Sequence, residues 1–305
     1  MATIVTGAGG FVGRALVTQL AEAGEHVIGI DNTSPDNFAG ARFIAGDLAD
    51  RQVRSEALKD GCEAIIHLAT VPGGAAEADP AASRRVNVDA MYDLMQEVAE
   101  AGSCPRFVYA SSIAVYGDPF PDHVDDNTPL SPKMIYGGHK AMMELALAMF
   151  SNRGMLDGRT IRLPGILARP KGPSGMKSAF LSNLFHALKA GEDFICPTSP
   201  EGTIWAQSVA RCAANFVHAL RLDSSLLPPG RAVTLPAIRT TMGDLIEEVA
   251  RQCGTPESKV RYEADAELER AFAAQPPLST HAADHAGFAH DGTLADLVSS
   301  ALKTL

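Results

Sequence analysis

The chain has 305 residues, of which 46% are hydrophobic and 20% charged, enough apolar material for a large core and a composition that argues against disorder. Acidic residues outnumber basic ones by 36 to 26 for a net charge of -10, which disfavours nucleic acid as a partner and leaves any anionic substrate in need of a local basic pocket. Cys62, Cys104, Cys196, Cys212 and Cys253 lack C-x-x-C spacing, no basic leader precedes the first strand, and no apolar run reaches the roughly 18 residues of a membrane span, so a reduced cytoplasmic protein without membrane contact is expected.

In chain order, short β-branched runs alternate with longer helical patterns. Strands are predicted at 3–6, 26–30, 42–45, 64–68, 106–110 and 159–163, with helices at 11–23, 51–59, 82–101 and 134–151. This alternation is the pattern of βαβ units, so the fold class is α/β, a doubly wound parallel Rossmann sheet. Residues 164–175 then pack three prolines and three glycines into one loop, and a smaller C-terminal substrate-binding lobe is expected to begin there. Further helices are predicted at 177–190, 208–222 and 242–253, a strand at 232–235, and a helical tail over 266–305. The expected domains are 1–165 for the Rossmann sheet and 166–305 for the smaller lobe, with returns to the first near 205–222 and 231–236.

The turn between the first strand and first helix reads Gly7-x-x-Gly10-x-x-Gly13, with Phe11 and Val12 opening the helix. In that position the glycines permit a tight turn and close phosphate approach, and the backbone N–H groups and positive helix end face a pyrophosphate. Asp31 ends the second strand, where a carboxylate accepts from both ribose hydroxyls and repels a 2′-phosphate, which favours NAD over NADP. Asp47-Leu48 after the third strand and Leu68-Ala69-Thr70 after the fourth lie at the same carboxyl edge, where such sheets bind ligands.

Tyr136 and Lys140, four apart on a helix, share one face. A tyrosine acts as a base near neutrality only if its ordinary pKa of about 10 is brought down, and an ammonium beside it does that. Taken alone the pair is common on solvated helices. Two hydroxyls, Ser111 and Ser112, end the fifth strand at the ligand edge and change its context, with Ser112 placed to hold the reacting oxygen.

The ordered set Thr6-Gly-Ala-Gly-Gly-Phe-Val-Gly13, Asp31, Asp47-Leu48, His67-Leu-Ala69, Asn87, Ser111-Ser-x-x-Val-Tyr-Gly117 and Tyr136-x-x-x-Lys140 resembles the extended short-chain dehydrogenase/reductase family, the NAD-dependent epimerase/dehydratase group. The resemblance covers the Rossmann part. It implies that Ser112 is the catalytic hydroxyl, Tyr136 the acid/base and Lys140 the ribose-binding lysine, with Asn87 bracing the site. Asn87, Ser111, Pro164 and Ile166 complete the expected cofactor contacts. A homodimer paired through the helices at 82–101 and 134–151 is also implied by resemblance.

Fold and triad do not choose the substrate. Nucleotide-sugar members of the family generally carry Arg-x-x-Asn at the end of the sixth strand; here the stretch is Arg162-Leu-Pro-Gly-Ile166, with Pro164 in place of the asparagine. Arg169, Lys171 and Lys177 follow with no acid between them, as capture of a small carboxylate requires. These features, with Trp205-Ala-Gln-Ser208 and Leu235-Pro-Ala-Ile, are similar to the D-erythronate dehydrogenase branch of the family. That likeness implies oxidation of the 2-hydroxyl of a small sugar acid to a 2-oxo acid. The expected substrate contacts are Thr70, Ser112, Ser174, Lys177 and Trp205, with Ser174 or Lys177 holding the carboxylate and Thr70 and Trp205 on the walls. A nucleotide-sugar epimerase or dehydratase with tightly bound NAD is the alternative, and a non-catalytic dinucleotide-sensing regulator a more distant one. His281, His285 and His290 have no matching ligand group in the sequence, so no metal site is expected.

Overall fold

The computed structural model describes residues 2–34, 38, 41–102, 105–171 and 177–305. The first half runs β1 (Ala2–Thr6), α1 (Phe11–Glu22), β2 (Val27–Asp31), β3 (Arg42–Ala45), α2 (Arg51–Leu58), β4 (Cys62–His67), α3 (Gly73–Ala78), α4 (Pro80–Arg84), α5 (Met91–Glu100), β5 (Arg106–Ser112), α6 (Ile135–Asn152) and β6 (Asp157–Leu163). The second continues with β7 (Gly165–Ile166), α7 (Phe180–Ala190), β8 (Phe194–Cys196), β9 (Thr203–Gln207), α8 (Val209–Arg221), β10 (Ala232–Thr234), β11 (Ile238–Thr241), α9 (Met242–Cys253), β12 (Val260–Tyr262), α10 (Ala266–Phe272), α11 (His281–His285) and α12 (Leu294–Leu302).

Seven parallel strands in the order β10-β6-β5-β4-β1-β2-β3 form the main sheet, the doubly wound arrangement that the alternating pattern predicts. Its central strands bury both faces, so they read as continuous apolar runs without alternation. On one face Leu16, Val17 and Leu20 of α1 meet Cys212 and Phe216 of α8. On the other, Met91, Leu94 and Met95 of α5 pack with Met143, Leu147 and Phe150 of α6. A separate core joins α7, α9 and α12 beside a small sheet of order β11-β9-β7. The chain passes from β6 through Pro164 directly into β7, so the large and small sheets meet at the sheet edge where ligands bind.

Several local expectations are corrected. The helix predicted over 82–101 is interrupted by a π-helical turn at Arg85–Ala90, which carries buried Asn87. Such wider turns are frequent at functional sites. The tail is three short helices; Pro276 and Pro277 break it, and residues near 274–278 run extended, bridging Ala274 to Thr203 and Leu278 to Val124. The short strands β7, β8, β9, β11 and β12 were not predicted; they lie outside the regular strand–helix alternation of the first half.

Candidate active site

The carboxyl ends of the main strands and the small lobe enclose a cleft of about 1040 Å³. It brings together every predicted site residue except Asn87 and Trp205, which lie outside its walls, and Ser174, which lies outside the described residues.

The glycine turn is built for close approach. Gly7 is in the left-handed region at φ 70°, and a Cβ there would stand 2.7 Å from the Ala69 backbone nitrogen. A Cβ at Gly13 would collide with the Gly7 carbonyl, so the head of α1 seats tightly against β1. No side chain caps that helix, which leaves its first-turn N–H groups facing the cleft. Asp31 Oδ2 accepts from Gly9 N at 3.0 Å and Oδ1 from Thr33 N at 3.3 Å, so the carboxylate is fixed beside the turn. Asp47 is likewise held, by Ala49 N at 2.9 Å and by Arg85 at 2.8 Å. Leu48 anchors through its carbonyl to Nη1 of buried Arg54 at 2.8 Å. An uncapped helix head, a cradle that any Cβ would fill and a fixed carboxylate at the second strand fit a dinucleotide.

Ser112 ends β5, and its Oγ accepts from Ala114 N at 3.1 Å, starting the 3-10 turn Ile113–Tyr116. Tyr136 in the first turn of α6 hydrogen-bonds Ser112. Gly137 permits that meeting, because a Cβ there would collide with the Ala114 carbonyl. Lys140 is buried; its Nζ donates to the Ala110 carbonyl at 2.7 Å and lies 5.5 Å from the Tyr136 ring centroid and 4.9 Å from that of Tyr109. Burial lowers the ammonium to about 7, with the Glu144 carboxylate working in the opposite sense. Burial raises the Tyr136 hydroxyl, while the Ser112 hydrogen bond and the Arg169 charge pull it down. His67, sealed beneath and in contact with Thr6 Oγ1 at 2.9 Å, is pushed down to about 3 by burial and by Lys140, so it stays neutral.

Behind this front lies a network that sequence reasoning missed. Glu144, 3% exposed, accepts from the Ser111 hydroxyl and pairs with Arg162, whose Nη1 donates to the Tyr116 hydroxyl at 3.0 Å. Tyr116 in turn meets Thr234 of β10. The available signal was the third step of a ladder, since 136, 140 and 144 fall on one helix stripe.

Three expectations change. The Ser111 hydroxyl is taken by Glu144 on the core side, so this residue borders the cleft without offering its side chain to a cofactor. Asn87 spends its amide on the loop after β4: Oδ1 accepts from Val71 N at 2.7 Å and Thr70 Oγ1 at 3.1 Å, and Nδ2 donates to the Val71 carbonyl at 3.0 Å. It braces Thr70 and makes no wall of the cleft. Trp205 is no substrate wall either, being fully buried with Nε1 donating to the Pro276 carbonyl at 2.7 Å. Its ring supports Phe120, edge to face at 5.2 Å, and Phe120 lines the cleft. Lys177 borders the cleft paired with Glu267 at 3.0 Å, both side chains largely exposed.

Comparison with known proteins places this geometry among relatives. The model of the NAD dependent epimerase/dehydratase family matches residues 3–209. The chain is 34% identical to D-erythronate dehydrogenase from Cupriavidus necator and 31% identical to that from Haemophilus influenzae, each match covering 90% of both chains. Among solved structures, the nucleoside-diphosphate-sugar epimerase from Agrobacterium tumefaciens is 28% identical with a TM-score of 0.88, covering 98% of this chain and 92% of that one. The holo L-threonine dehydrogenase from Cupriavidus necator shares the fold at 20% identity and a TM-score of 0.89, covering 99% of each chain.

Proposed function

The chain belongs to the NAD-dependent epimerase/dehydratase family and is an NAD-dependent oxidoreductase, and from that premise we propose that it oxidises the 2-hydroxyl of a small sugar acid resembling D-erythronate to a 2-oxo acid, with Tyr136 as general base. The observation that carries the chemistry is the meeting of Tyr136 with Ser112 above Lys140, at the cleft wall beside the glycine turn. The substrate class rests on the two relatives that match along nearly the whole chain.

In this reading Gly7, Gly10, Gly13, Asp31 and Asp47 hold NAD, together with Lys140 and the backbone around Leu68 and Ala69. When bound, NAD supplies two-electron acceptance as hydride. Ser112 Oγ holds the substrate hydroxyl, and Tyr136 Oη takes its proton. Burial holds the Tyr136 hydroxyl above its ordinary value, and Ser112 and Arg169 offset part of that rise by stabilising negative charge on the oxygen. Thr70, fixed by Asn87, and Phe120, backed by Trp205, bound the substrate side and exclude water. Residues 1–165 with the returning α8 and β10 form the cofactor unit, and the remainder of 166–305 the substrate lobe. The functional unit is a homodimer joined through α5 and α6, whose outer faces expose Tyr92, Met142, Leu145 and Met149.

The test is NADH formation with D-erythronate and other short aldonic and uronic acids, run beside UDP- and dTDP-sugars. Sugar-acid-dependent NADH is expected, and Tyr136→Phe should lose about 10³-fold in kcat while still binding NAD. Interconversion of a nucleotide sugar without NADH would replace this reading by an epimerase.

A further inference from the structure

Arg169 follows the sheet edge by a short stretch and is held in place by its own backbone. Its N–H donates to Ser182 Oγ at 3.1 Å and its carbonyl accepts from His186 Nε2 at 2.8 Å, two residues one turn apart on α7. Before it, Leu167 and Ala168 are sunk in the core of the small lobe. Ala168 is in the left-handed region at φ 57°, a conformation that costs a non-glycine residue on the order of 1 kcal/mol or more. The reversal lets a buried segment present the next side chain to the cleft.

The guanidinium carbon lies 5.8 Å from the Phe11 ring centroid. Arg169 thus lines, from beside the first helix, the same cleft that Ser112 and Tyr136 line. The other cations of the segment are differently placed. Lys177 is paired with Glu267 at the exposed rim, and Lys171 is exposed.

Resting on the function proposed above, we propose that Arg169 is the residue that binds the substrate carboxylate and thereby selects the hydroxyl on the adjacent carbon for oxidation. A planar guanidinium matches a carboxylate in bidentate fashion, and partial burial strengthens the pair. The regiochemistry follows from distance. In a 2-hydroxy acid the carboxylate is one bond from the reacting carbon, so the cation that grips it must lie within the cleft that Tyr136 lines, as half-buried Arg169 does. A cation at the exposed rim would instead suit an acid whose hydroxyl is several carbons away.

The experiment compares wild type, R169Q and R169K by steady-state kinetics, by calorimetric titration of D-erythronate into the enzyme with NADH, and by direct NAD titration. For R169Q, KM and the calorimetric Kd for D-erythronate are expected to rise about 100-fold, as for loss of one partner of a desolvated charge pair, with NAD affinity unchanged. R169K, with charge but no fork, should recover part of the loss and also guards against a variant that fails to fold. Unchanged D-erythronate binding in R169Q overturns the assignment alone. So does a loss confined to NAD, which would make Arg169 a pyrophosphate ligand. A wild type that neither binds nor oxidises any sugar acid overturns the functional reading, and the assignment with it.

Discussion

Arg162 grips Glu144 at the back of the site, with Nη2 2.7 Å from Oε2 and Nε 3.0 Å from Oε1. Both side chains are largely buried, so each neutralises a charge that would otherwise be stranded in a low-dielectric interior. Glu144→Gln should destabilise the fold by about 3–5 kcal/mol in urea unfolding. A second change, Arg162→Met, should recover a large part of that loss, since the stranded guanidinium is then gone. Additive losses in the double variant would show that the pair does not act as a unit.

Lys140 makes stability depend on pH in a defined direction. Its folded-state value, about 7 through burial, lies below the ordinary 10.5, so between those values the unfolded chain binds the proton more readily. The penalty for holding this charge is complete below about pH 7 and is relieved as pH rises toward 10.5. At roughly 1.4 kcal/mol per pKa unit, Lys140→Met should be more stable than wild type at pH 6 by a few kcal/mol. That advantage should shrink by pH 10 in cofactor-free denaturant titrations. A difference between the two proteins that does not vary with pH would count against it.

In the proposed cofactor site, Asp31 is the residue expected to set the choice of dinucleotide. Held by Gly9 N and Thr33 N, its carboxylate cannot swing away from a 2′-phosphate. Asp31→Ser should lower the NAD-over-NADP ratio of kcat/KM by about 100-fold, most of it through KM, because a like-charge contact costs several kcal/mol. An unchanged ratio would place the discrimination elsewhere.

The exposed apolar stripe on α5 and α6 predicts self-association. Leu145 is 72% exposed and Met142 55% exposed. Leu145→Glu should convert a dimer to a monomer in sedimentation velocity and leave the melting of the isolated protomer nearly unchanged. A wild type that sediments as a monomer would refute the proposed dimer.

Legibility in the sequence followed the length of the pattern that each feature leaves. The main sheet was readable because six buried strands alternate with helices long enough to show a period. The glycine turn and the Tyr136–Lys140 pair were readable because their chemistry requires fixed local spacing. Trp205 was misread since an indole that supports a wall and one that forms it look alike in sequence; only its contact with Phe120 separates them. The Glu144–Arg162 pair joins residues 18 apart on different elements, and nothing local in either position announces the partner. Arg169 was visible as one of three cations, but its place in the cleft wall follows a backbone reversal at Ala168 that composition does not encode.

The outer edge of the main sheet is supplied by β10, which pairs with β6 after the chain has already built β7, α7, β9 and α8. A protein ended after Leu163 would leave β6 with a bare edge and strip Leu16 and Leu20 of the cover given by α8. The part of the chain after Leu163 therefore cannot be removed at a single junction without loss to the first part, because β10 and α8 are built into the main sheet and its cover.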